Sequence, residues 1–269
     1  MRSNAIETIS PLAADLKAND PDRYIATLFA PPACRESLIA LHAFDHELAR
    51  LQGSLREPMA GLIRLQWWDE VLDDIESRGA LNHPVVRGLH RAVTRGDLDV
   101  SLLKRALDGR RQPFEEDRPS DLASFERFLL DSGGSMARAA AALLGADDET
   151  ASALAERVGL VRAAWEQQRL VATPLSDQQP WLPPELHGGH GVGGDDQQPV
   201  AGTPLASWAS QQLDAARRQS GSIARSALAA FFPGTLAGIR LRDPERSGRQ
   251  PSLPTAVPRL AWCWLRGRF

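Results

Sequence analysis

The run Asp69-Glu70-Val71-Leu72-Asp73-Asp74 sets four carboxylates within two helical turns. Carboxylates at that spacing can hold magnesium, a hard cation that takes oxygen ligands and neutralises diphosphate. At about 100° per residue, however, Trp67, Trp68, Val71, Leu72 and Ile75 share one helix face. Asp69, Glu70 and Asp73 fall on the opposite face, with Asp74 at its border. The apolar face of a surface helix turns to the core, so the acids are expected to face water. A second pattern, Gly189-His190-Gly191-Val192-Gly193-Gly194, fits the glycine spacing that cradles a dinucleotide. That chemistry needs a strand before the glycines and a helix N-terminus after them. Here Pro183-Pro184 precede and Asp195-Asp196-Gln197-Gln198-Pro199 follow. A polar loop is expected instead, in which His187, His190, Asp195 and Asp196 would bind metal only adventitiously.

Two further groups are worth weighing. Leu38, His42, Asp45 and Ala49 form one helical stripe, and His42 and Asp45 stand one turn apart. That is close enough for a hydrogen bond that fixes the imidazole, and a satisfied buried pair is the expectation. The tail mixes Trp262, Trp264, Leu265 and Phe269 with Arg259, Arg266 and Arg268. Such a mixture suits a membrane interface or a partner groove. It also suits a C-terminal helix docked on its own core, and the sequence leaves both open.

These residues must be positioned by helices. Tyr24 is the only tyrosine, and alanine, leucine, arginine and glutamine, all helix formers, dominate the 269 residues. Proline and glycine punctuate the chain into helices expected at about 25–29, 33–51, 58–77, 84–94, 99–108, 122–144, 151–170 and 205–232. The adjacent Gly133-Gly134 inside the 122–144 helix predict a kink or close packing. No alternating run argues for a sheet. A net charge of −3 gives no basic excess for nucleic acid. Cys34 and Cys263 make neither a disulfide framework nor a zinc spacing. The first residues hold no apolar signal core, and the longest apolar stretch, Ala139 to Leu144, is too short to span a bilayer. A cytoplasmic location is expected, with the tail reaching the inner face of the membrane if it acts as an interface.

One stretch is more specific. Asp22-Arg23-Tyr24-Ile25-Ala26-Thr27-Leu28-Phe29-Ala30-Pro31, then Arg35, then Ala40-Leu41-His42-Ala43-Phe44, resembles the opening of the squalene/phytoene synthase family. The resemblance continues through Leu107-Asp108-Gly109, Gly134-Ser135 and Trp181-Leu182-Pro183. It implies an all-α, single-domain isoprenoid synthase-like helical bundle around a large central cavity. It also implies two aspartate-rich motifs that bind magnesium and pull diphosphate from a prenyl substrate. The domain would span 20–242, after an N-terminal extension at 1–19 and before a Pro-rich linker at 243–258 and the tail at 259–269.

The departures from that pattern matter most. The metal-binding positions of the first motif fall on Ala49, Arg50 and Gly53, and those of the second fall within Leu170 to Pro174, where there is no aspartate. Arg169 alone matches the family's local Arg-Asp pair. The chain therefore resembles a non-catalytic branch of the family, the complex I assembly type. The expectation is a protein with no cofactor that binds a lipid, an isoprenoid or another, in its cavity. It would also meet a membrane surface or a protein partner through Trp262, Trp264, Arg266, Arg268 and Phe269. Remnant pocket candidates are His42, Asp45 and Arg169. The alternative is an active head-to-head prenyltransferase that holds magnesium on relocated acids: Asp69, Asp73 and Asp74, or Asp45 and Glu47.

Overall fold

The computed structural model describes residues 10–54, 57–77, 82–116, 118–171, 180–186, 203–219, 223–242 and 253–269. Every regular element among them is helical. The helices are α1 (Pro11–Asn19), α2 (Pro21–Leu28), α3 (Pro32–Ser54), α4 (Pro58–Asp73), α5 (Pro84–Thr94) and α6 (Val100–Glu115). There follow α7 (Leu122–Leu129), a π-turn (Leu130–Gly134), α8 (Ser135–Leu143), α9 (Glu149–Val171), α10 (Pro204–Gln219), α11 (Phe232–Arg242) and α12 (Leu253–Arg266). Short 3-10 turns occupy Pro184–Leu186 and Arg225–Ala230.

Local chemistry starts these helices. Proline stands in the first turn of α1, α2, α4 and α5, where its missing N–H costs nothing. Side chains accept from orphan first-turn amides at Ser10, Asp20, Asp99, Asp121, Asp148 and Thr203. Asp20 caps α2 by accepting from the Arg23 amide at 3.2 Å, and its carboxylate is used again below.

The two longest helices organise the bundle. α3 packs against α1, α2 and α5, while α9 packs against the π-turn, α8, α10 and α11. α6 lies between α4 and the π-turn. Glycines let α9 and its neighbours touch backbone to backbone. A Cβ on Gly159 would lie 2.3 Å from the Gly133 carbonyl oxygen, and one on Gly234 would lie 2.1 Å from that of Val158. The paired glycines thus produce both a kink, as the π-turn, and close packing. Backbone cannot yield as a flexible side chain can, so Gly159→Ala is expected to cost at least about 1–3 kcal/mol. A shift in the urea midpoint measures it.

Four boundaries differ from the sequence expectation. Helix α1 lies in the stretch expected as an N-terminal extension, yet Leu12, Ala13 and Leu16 are buried on it. Helix α6 runs on through Pro113 to Glu115 because Gly109 and Phe114 pack tightly, against the π-turn backbone and Gly61 of α4 respectively. The single helix expected at 205–232 is divided: α10 ends at Gln219, a 3-10 turn follows, and Pro233 sits in the first turn of α11. Helix α12 begins at Leu253, inside the stretch expected as linker, and holds Pro258 within it.

Candidate functional site

Helices α2, α3, α6, α9 and α11 each bring charged side chains to one buried network. Arg23 Nη1 donates to Asp20 Oδ2 at 2.6 Å, while its Nη2 donates to Glu166 Oε1 at 3.0 Å and pairs with Asp45. Arg110 Nη2 donates to Glu166 Oε2 at 2.7 Å and Asp45 Oδ1 at 3.2 Å. Arg162 Nη2 donates to Asp20 Oδ2 at 2.6 Å, and its Nε to Glu166 Oε1 at 3.2 Å. Arg240 Nη2 donates to Asp22 Oδ1 at 2.7 Å. Four guanidinium groups therefore meet four carboxylates, all at most 10% exposed. Formal charge cancels within the network.

The titration of its members follows from burial and pairing together. Burial alone would raise the Glu166 carboxyl, but Arg110, Arg23 and Arg162 outweigh it and hold the group at about 2. Asp20 is likewise opposed by burial, yet Arg162 and Arg23 hold it well below the usual carboxylate range. The acids in return offset the burial of Arg23 and Arg110, whose guanidinium groups stay charged. The Trp165 indole lies beside the network with Arg162, Arg240 and Arg169 stacked on it at 4.5, 5.0 and 5.0 Å.

A polar cleft of about 280 Å³ opens on this network. Its lining also includes Ala49, Arg50, Gln52, Gln167 and Arg169. The Gln52 and Gln167 amides bond each other, at 2.8 Å from Gln167 Nε2 to Gln52 Oε1, and Gln167 Oε1 accepts from the Trp181 amide at 2.9 Å. Behind the network, beside His42, Met136 and Gly159, lies a void of about 20 Å³, room for one water. Among the described residues, the walls of the cleft are mainly charged and amide side chains.

His42 and Asp45 do not pair. Both Asp45 oxygens are taken by Arg23 and Arg110, and the buried His42 Nε2 has no partner. Two arginines outcompete a neutral imidazole for a carboxylate because charge-assisted hydrogen bonds are the stronger. Burial, and after it Arg23, hold the imidazole down to about 3. Arg169 is at the cleft. Glu47 lies outside the network and pairs with Arg50 at 3.3 Å. Trp68, Val71, Leu72 and Ile75 are buried, whereas Asp73 and Asp74 are exposed, with Asp73 paired to Lys104. Asp69 accepts from Arg111 Nη2 at 2.9 Å. The structure therefore keeps Asp69, Asp73 and Asp74 apart from the cleft lined by Arg169. The glycine-rich run 189–194, with His187, His190, Asp195 and Asp196, lies outside the described residues, as do 172–174.

Arg110, Arg162 and Glu166 carry the network but were not singled out from the sequence. A signal existed, since Arg110 continues the buried stripe of Leu103, Ala106 and Leu107. A charge at a core register position asks for a partner.

Residues 16–261 match the squalene/phytoene synthase family. The chain belongs to that family. Within it, a mouse protein named NADH dehydrogenase (ubiquinone) complex I, assembly factor 6 is 28% identical over 236 residues, covering 85% of this chain and 70% of its own length. The bovine protein of the same name is 30% identical over 183 residues, covering 67% of this chain and 54% of its own, so the chain spans about half of that relative. In fold, this family member is similar to squalene synthase HpnC from Alicyclobacillus acidocaldarius, with a TM-score of 0.66 at 16% identity over 90% of this chain and 94% of that one.

Proposed function

We propose that this squalene/phytoene synthase-family chain is non-catalytic and serves the assembly of a respiratory NADH dehydrogenase by binding a protein partner. The observation behind it is the neutralised ion network. Expelling diphosphate from a prenyl substrate needs concentrated positive charge at the leaving group, which this family's pattern supplies as magnesium held by aspartates. Here Asp20, Asp45 and Glu166 each lie within bonding distance of buried guanidinium groups. A magnesium ion would have to displace an arginine from its carboxylate partners and leave a largely buried charge unpaired. The positions matched to the first motif, Ala49, Arg50 and Gly53, bring no carboxylate oxygen. The donor set does not fit the metal.

The names of the relatives supply the assembly role. The relocated-ligand alternative is disfavoured by Asp69 and Asp73, whose partners are Arg111 and Lys104 on the outer side of α6.

Deleting the chain from its host and resolving membrane complexes on native gels tests the role. Loss of assembled NADH dehydrogenase is expected. It should be restored by the wild-type chain and equally by the Asp69→Asn/Asp73→Asn/Asp74→Asn variant. Unchanged complex in the deletion strain would overturn the assembly reading, and failure of the triple variant to restore it would revive the alternative.

A further inference from the structure

We propose that the outer face of α12 docks on an anionic lipid bilayer, lying at headgroup depth without crossing it. The helix is fastened along one side. Ala256, Leu260 and Phe269 are buried, and the Phe269 ring stacks on Phe231 at 4.8 Å. Arg217 Nε donates to the Phe269 carbonyl at 3.0 Å, and Arg225 Nη2 to that of Leu265 at 3.1 Å. On the other side Trp262 is 57% exposed, Leu265 58% and Val257 36% among the described residues. Helix α2, on which α12 packs, ends in Leu28, 45% exposed, whose carbonyl accepts from Arg35.

The charge on this face selects the occupant. Residues 253–269 include Arg259, Arg266 and Arg268 and no aspartate or glutamate. The Arg266 guanidinium stacks over the Trp262 ring at 4.2 Å. An indole with a cation above it, on a segment that carries arginines and no acid of its own, suits the layer where acyl chains meet anionic headgroups. None of the described helices is long and apolar enough to cross a membrane.

Co-sedimentation of the full chain with vesicles tests it. Wild type is expected to bind phosphatidylcholine–phosphatidylglycerol vesicles and to bind phosphatidylcholine alone far more weakly. Trp262→Ser/Leu265→Ser should weaken binding roughly tenfold or more while its thermal midpoint stays at the wild-type value, since both side chains are exposed. Arg259→Gln/Arg266→Gln/Arg268→Gln should lose about fivefold for each arginine and most of the salt dependence. Wild type left in the supernatant with anionic vesicles at low salt overturns the proposal and leaves the face to a protein. So does binding of both variants at wild-type strength.

Discussion

Glu166→Gln is expected to lower the unfolding free energy by about 3–5 kcal/mol. Glu166 accepts from Arg23, Arg110 and Arg162 at once. The amide leaves three largely buried guanidinium groups with Asp20, Asp22 and Asp45 as their remaining carboxylates. The cost is that of an uncompensated buried charge, which far exceeds the worth of an exposed pair. Breaking the Lys104–Asp73 contact, exposed on both sides, should change stability by less than about 1 kcal/mol. Urea midpoints at neutral pH measure both, provided the m-value is unchanged. Equal small effects would mean that solvent reaches the network. Acid should act on the same group. Because its folded value is depressed, the stability Glu166 contributes is full above about 4.5 and is lost as pH falls toward 2.

The second large effect belongs to His42, which titrates higher. Its imidazole is held at about 3 by burial and then by Arg23, against an ordinary 6.5. Below pH 6.5 the unfolded chain takes up a proton that the folded chain refuses until near 3. Stability therefore falls with pH across that window, by about 1.4 kcal/mol per unit from this one group. His42→Leu keeps the buried volume and removes the titration. Subtracting the two stability–pH curves cancels every other group. The difference should be flat above pH 6.5 and should grow in the variant's favour down to 4.5. Parallel curves through that window would show that His42 is protonated in the folded chain.

The fold was legible because its determinants are local. Proline starts and Asp or Ser caps mark the helices, and the apolar stripe of α4 set Trp68 and Val71 inward before any coordinates. The π-turn was half legible: Gly133-Gly134 announced it, but only tertiary contact shows Gly159 and Gly234 meeting backbone around it. The site was less accessible. Arg23 and Asp45 are 22 residues apart, and Asp22 and Arg240 are 218. Nothing in local spacing pairs such residues. The His42–Asp45 expectation failed for that reason, because adjacency on one helix says nothing about arginines arriving from two others. The tail docks on the chain's own core through Leu260 and Phe269, one of its two alternatives, while Trp262 and Leu265 stay exposed.

The central claim is that carboxylates matched to arginines replace carboxylates that would hold magnesium. Incubation of the purified chain with farnesyl or geranylgeranyl diphosphate and magnesium tests it most directly, with released diphosphate and extracted hydrocarbons as the readouts. The account predicts neither product above the protein-free control. Magnesium-dependent release of diphosphate together with a head-to-head hydrocarbon would contradict it.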